Sequence, residues 1–216
     1  MHEYDLIADW YAAQRTGGMG IPEVEALAAS LPSGAAVLDV GCGTGIPLTR
    51  VLLDRGCDVL GVDSSGRLLA RLHANFPKVP TLHAPIQEAD LAGRAFDAAL
   101  AWGVMFHLRH DEQRQAIARI GSALRPGGWF LFTSGDRHAS IDGAPMNGVP
   151  FRYHSFSVEG YRGLLDEHGL ALEETHTDAG GNIYYLSRRR ASVGSRLAVP
   201  RELRELVAAR RATGRV

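Results

Sequence analysis

An apolar run in the stretch VLDVGCGTGIP, residues 37–47, ends on Asp39 and passes at once into three glycines, Gly41, Gly43 and Gly45. Glycines so spaced let the backbone turn tightly and approach a ligand, and the start of the next helix presents unpaired N–H groups to it. A dinucleotide turn of the G-x-G-x-x-G kind needs a third glycine where Ile46 stands; the spacing here is G-x-G-x-G. Asp39 at the mouth repels a phosphate and favours a ligand carrying positive charge. Cys42, inside the turn, contributes its backbone rather than its thiol. His107 follows the fourth apolar run, at the edge where such sheets bind ligands, and its imidazole can take a proton near neutral pH.

These residues need a scaffold that brings strand ends together. Short apolar runs alternate with segments of helical period, the pattern of a parallel sheet covered by helices on both faces. Strands are predicted at 35–40, 58–63, 81–84, 96–102 and 128–134, and helices at about 46–55, 65–75, 111–124 and 157–168. Pro126, Gly127 and Gly128 are expected to stop the third of these helices and turn the chain into strand five. LALEETHTD and NIYYLSRR, separated by AGG, read as a hairpin that adds an antiparallel strand. Residues 135–155, rich in Gly, Pro and polar side chains, read as a long cover loop over the site. Ahead of the domain, YDLIADWYAAQR reads as an amphipathic helix with Leu6, Trp10 and Ala13 on its packed face.

Bulk properties bound the function. A chain of 216 residues with 45% hydrophobic content holds one sizeable α/β domain, and a formal net charge of -1 calls for no polyanionic partner. Two cysteines make neither a disulfide framework nor a zinc site. No basic leader and no run of about 18 apolar residues occurs, so a cytoplasmic protein that engages no membrane is expected. Residues 188–216 hold nine Arg and two Glu, a net +7 against -8 for the rest. Within them, PRELRELVAARRATGRV reads as a helix docked on the body or on a second copy of the chain, a homodimer.

VLDVGCGTG followed by GVDSS (61–65) resembles the first two motifs of the class I S-adenosylmethionine-dependent methyltransferases. PIQEADL, FDAALAWGVMFHL and LRPGGWFLF follow in the family's order, and AWGVMFHL, FLFTSG and DAGGNIYY resemble a subgroup of small bacterial methyltransferases. The resemblance covers roughly 35–190. It implies a Rossmann-like doubly wound sheet of seven strands in the order 3-2-1-4-5-7-6 with the last strand antiparallel. Residues 1–34 would be a helical lid, 35–190 the methyltransferase domain and 191–216 a basic helical tail. It also implies that S-adenosylmethionine is the cofactor and S-adenosylhomocysteine its product, with no metal. Asp63 would take the ribose hydroxyls, and Asp39 and the backbone at Gly41 would surround the methionine portion. The family's adenine-binding acidic position is Gln87 here, beside Ile86. Further cofactor contacts are expected from Cys42, Gly43, Gly45, Ser64, Ala101, Trp102, Tyr11 and, near the methionine carboxylate, Arg15. The substrate pocket is expected to draw on Tyr4, Phe106, His138, Tyr153, His154, Asn182 and Tyr184.

Methyl transfer from a sulfonium is an in-line displacement, so the protein chiefly positions the reactants and excludes water; a base such as His107 is needed where the acceptor is protonated. Aromatic faces suit the sulfonium charge. The acceptor is expected to be a small molecule rather than a nucleic acid, because strand four ends in AWGVMF and not in the Pro-Pro-aromatic signature of base methylation. A metal-dependent catechol enzyme would want carboxylates clustered after strands four and five, and the end of strand four offers none. A nicotinamide oxidoreductase is the alternative enzyme, opposed by Ile46 and by the absence of a Tyr-x-x-x-Lys pair. The alternative outside enzymes is a non-catalytic cofactor-binding module working through the basic tail.

Overall fold

The computed structural model describes residues 3–14, 18–177, 183–191 and 205. Arg15, Asn182, the AGG connection and nearly all of the 191–216 tail lie outside the described residues. Nine strands occur among them: β1 (Ala36–Val40), β2 (Asp58–Asp63), β3 (Thr81–His83), β4 (Phe96–Ala101), β5 (Leu124–Ser134), β6 (Ala139–Met146), β7 (Val149–Ser155), β8 (Leu170–Thr177) and β9 (Ile183–Arg189). The helices are α1 (Glu3–Gln14), α2 (Ile21–Ala29), α3 (Leu48–Asp54), α4 (Gly66–Asn75), α5 (His110–Ala123) and α6 (Val158–Glu167), with a 3-10 turn at Met105–His107.

Seven strands form one sheet in the order β3-β2-β1-β4-β5-β9-β8. The first five run parallel, and β9 pairs antiparallel with both β5 and β8. With β8 and β9 counted as the sixth and seventh sheet strands, this is the doubly wound order expected.

Strand residues alternate between two cores, as the period of two requires. Leu38, Val40, Phe130, Phe132 and Tyr185 pack on one face with α5 and α6. Val37, Trp129, Leu131, Tyr184 and Leu186 pack on the other with α2 and α3. Apolar residues on both faces are what a sheet covered on both sides demands.

Three expectations change. β5 begins at Leu124, so Arg-Pro-Gly-Gly lies within the strand as an irregularity: Phe96 pairs with Leu124 and Ala98 with Trp129. Backbone approach drives this, since a Cβ on Gly128 would lie 3.0 Å from the carbonyl oxygens of Arg125 and Asp97.

Residues 135–155 are not a loop. They hold the antiparallel ribbon β6-β7, turned at Asn147-Gly148, where both residues take positive φ (49° and 78°). That is the backbone a two-residue hairpin with the right-handed strand twist needs, and Asn-Gly supplies it cheaply.

The α1 face is also reversed. Ile7 and Ala8 are buried, whereas Leu6 and Trp10 are 57% and 37% exposed and Ala13 faces out. Tyr4 and Tyr11 turn inward with Ile7, so two half-polar rings rather than the purely apolar stripe make the packed side.

Candidate active site

The chain leaves β1 through the glycine turn and is pinned there by β2. The amides of Gly41 and Cys42 donate to the carbonyl oxygen of Val62, at 2.7 and 3.3 Å. Asp63 Oδ2 accepts from the Gly43 amide at 2.8 Å, and Oδ1 accepts from the Ser65 amide, also at 2.8 Å. One carboxylate therefore joins the glycine turn to the start of α4. Gly41 sits at φ 68°, and a Cβ there would meet Val104 Cγ2 at 2.1 Å, so this position admits no side chain.

Above the C-terminal ends of β1, β2 and β4 lies a cleft with about 1000 Å³ of atom-free space, part of it open to solvent. Val40, Gly41, Gly43, Val62, Asp63, Ser64, Leu68, Ile86 and Gln87 line one end; Tyr4, Val104, His107, Leu108, Glu112, Phe151 and Arg152 line the other. Tyr11, Gly41 and Gly43 are shared with a smaller recess bounded by Asp39, Cys42, Thr44, Pro47 and Trp102. The smaller recess holds one buried carboxylate. Asp39 is buried, accepts the Thr49 hydroxyl at 2.6 Å, and has its carboxyl raised to about 6, first by burial and also by repulsion from Asp63. A carboxylate made costly in this way is stabilised by a cation placed beside it. The side-chain oxygen of Gln87 is buried with no hydrogen-bond partner among the described residues, an open acceptor in the same end of the larger cleft as Asp63.

The second end is roofed by two elements. α1 is latched onto α4: Asp5 Oδ1 accepts from Ser65 Oγ at 2.6 Å and from the Arg67 amide at 3.2 Å, and Asp9 pairs with Arg67 and Arg71. Hydrogen bonds and charge from the arginines, Arg71 first, hold the Asp9 carboxyl below its ordinary range. The ribbon contributes Phe151, whose ring meets Tyr4 edge-on with centroids 5.0 Å apart. His107 sits between the two roofs, Nε2 2.9 Å from Tyr4 Oη and Nδ1 2.9 Å from the Arg152 carbonyl oxygen.

Several sequence-predicted residues lie elsewhere. Tyr184 is fully buried in the core against Trp102 and His176, on the sheet face remote from the cleft, because alternation puts Tyr185 and Tyr184 on opposite faces. Ala101 is likewise core. Gly45 faces Phe76, where a Cβ would come within 2.7 Å, so it serves packing. Cys42 is buried with its sulfur toward Gly61, and burial pushes its thiol far up, which leaves only its backbone to the turn.

His138 is exposed and stacks on His110 at 4.4 Å, while His154 is buried beside Asp142 and Ser140. Phe106 and Tyr153 stack on each other at 6.0 Å and do not line the cleft; they pack against His107 from behind. Sequence reasoning missed Val104, Glu112, Phe151 and Arg152. Only Phe151 had an available signal, the Asn-Gly turn that makes 149–155 a strand whose alternate residues share one face; its neighbour Arg152 lines the cleft against that alternation.

Comparison with known proteins adds a family. Residues 11–175 match the model of the methyltransferase domain family. A probable S-adenosylmethionine-dependent methyltransferase of Mycolicibacterium smegmatis is 29% identical over 145 residues, 66% of this chain and 54% of that protein. The tRNA U34 carboxymethyltransferase of Hahella chejuensis is 38% identical over 100 residues, 44% of this chain and 30% of that protein. The chain thus spans about half or less of these curated relatives. Among solved structures, the Burkholderia thailandensis 1,6-didemethyltoxoflavin-N1-methyltransferase, with S-adenosylhomocysteine bound, superposes with a TM-score of 0.66 at 24% identity, covering 87% of each chain.

Proposed function

Because the chain belongs to the methyltransferase domain family, we propose that it is an S-adenosylmethionine-dependent methyltransferase whose acceptor is a small molecule. The observation that carries this reading is a single cleft lined both by the glycine turn with Asp63 and by the aromatic side chains under α1 and the ribbon. When bound, S-adenosylmethionine supplies a methyl group on a positive sulfur, which needs only an aligned nucleophile.

The residues present suit that cofactor. Asp63 lines the cleft with a carboxylate that accepts two amides, and a carboxylate, with about four lone-pair sites, can accept sugar hydroxyls as well. Gln87 offers its unpartnered oxygen to a purine amino group. Ile86, Val62 and Leu68 give the apolar walls a base requires. Asp39, in the smaller recess, favours the cationic end, and Tyr11 spans both cavities. No group of three or more His, Cys, Asp or Glu that could hold a metal occurs among the described residues.

α1 and the ribbon exclude water from the second end, and His107 is the group there able to take a proton near neutral pH. A roofed cleft favours a small acceptor over a base within a structured RNA. The test is to supply S-adenosylmethionine with a labelled methyl group together with a small-molecule acceptor panel and bulk tRNA. Label in a small molecule is the expected result; label in tRNA alone overturns the reading.

A further inference from the structure

We infer that Tyr4 and His107 act as one proton-accepting pair that exists only while α1 lies over the cleft, and that the methyl acceptor is a neutral aromatic hydroxyl; the inference rests on the function proposed above. The hydrogen-bond directions carry the first half. His107 Nδ1 lies 2.9 Å from the Arg152 carbonyl oxygen, which can only accept, so Nδ1 bears the hydrogen of the neutral ring. Nε2 is then the acceptor, and its partner at 2.9 Å, Tyr4 Oη, donates to it. The tautomer is thus set by β7, the base is carried by the turn after β4, and the hydroxyl that it polarises comes from α1. Lifting α1 takes Tyr4 away and dismantles the pair.

The lining gives the acceptor's class. Tyr4 crosses Phe151, Tyr11 and His107 at 73°, 79° and 80°, with centroids 5.0 to 5.6 Å apart. These four rings all line the cleft, and an aromatic lining of this kind suits the packing of a flat ring. Among the charged side chains lining the cleft, Glu3, Asp63 and Glu112 outnumber Arg152, whose guanidinium is itself 3.9 Å from Glu112. An acceptor that arrived as a phenolate would be repelled, so the hydroxyl enters with its proton and must lose it as it reacts.

The step balances. The acceptor oxygen forms a bond to the methyl carbon while the S–C bond breaks and its electron pair stays on sulfur. The hydroxyl proton passes to Tyr4 Oη as the Tyr4 proton passes to His107 Nε2. An ether, a neutral thioether and an imidazolium result, and the imidazolium returns its proton to water when α1 opens.

The test compares the full-length protein with Tyr4→Phe and His107→Gln, using 4-methoxyphenol, which is protonated at pH 8, and 4-nitrophenol, which is ionised there. S-adenosylhomocysteine affinity is measured for each. The expected result is methylation of 4-methoxyphenol by the wild type, and in both variants a kcat loss about 100-fold greater for 4-methoxyphenol than for 4-nitrophenol, with cofactor affinity kept within a few fold. A tyrosine that only packs would lower both rates equally, and that outcome overturns the pair. Wild-type protein that binds the cofactor but methylates amines and no phenol overturns the acceptor class. Failure of the wild type to bind S-adenosylhomocysteine at all defeats instead the underlying functional reading.

Discussion

Asp39 sets two properties of the molecule against each other. Its carboxyl is raised from 3.8 to about 6 by burial, so the folded state binds a proton more tightly than the unfolded chain. The contribution of Asp39 to stability is therefore greatest below about pH 4 and falls as pH rises from 4 to 6, above which the ionised group costs on the order of 3 kcal/mol. Asp39→Asn keeps an acceptor for Thr49 and should raise the melting temperature of ligand-free protein at pH 7.5, with the gain vanishing near pH 4. The same variant should bind S-adenosylmethionine more weakly while losing less affinity for the neutral S-adenosylhomocysteine; equal loss for both would remove the charge argument.

Asp63 is different in kind. Its two amide contacts make it a structural joint as well as a proposed ribose acceptor. Asp63→Ala should therefore lower both cofactor affinity, by more than 100-fold, and stability, by about 1–3 kcal/mol for amides left unpaired. Calorimetry and denaturant melts read the two separately.

At the scale of elements, the two roofs are held by different means. The ion pairs of the α1 latch are exposed, the Arg67 and Asp9 side chains being 54% and 68% accessible, so salt weakens them, and burial of Ile7 and Ala8 carries the rest of the attachment. Asp5→Ala removes the one half-buried member and should speed hydrogen exchange across 3–14 without altering exchange in β1, β4 or β5. The ribbon depends on its turn, and Gly148→Val should speed exchange over 139–155 while the seven-stranded sheet keeps its protection. Sequence patterning missed this ribbon because Pro145 and Pro150 flank the Asn-Gly pair and mimic a loop composition. Those prolines face each other across the ladder, a placement a short two-stranded ribbon tolerates. The packed face of α1 was misread for a related reason: polar-tipped tyrosines did the burying while Leu6 and Trp10 were left outside.

At the scale of the whole molecule, the sheet order was legible because buried parallel strands write themselves as short apolar runs, and the glycine turn was legible because its backbone demands are strict. The aromatic end of the cleft was not, since Tyr4, His107, Phe151 and Arg152 are joined by tertiary packing across as many as 148 positions of the chain and share no local pattern. Among the described residues no helix is long and apolar enough to cross a membrane. On the function proposed, the cleft at the ends of β1 and β2 takes a sulfonium nucleoside and not a dinucleotide. Isothermal titration of the wild-type protein with S-adenosylmethionine, S-adenosylhomocysteine and NAD tests it most directly. Saturable one-to-one binding of the two sulfur ligands, lost in Asp63→Ala, with no heat from NAD is the predicted result. NAD binding with no response to S-adenosylmethionine or S-adenosylhomocysteine would contradict it.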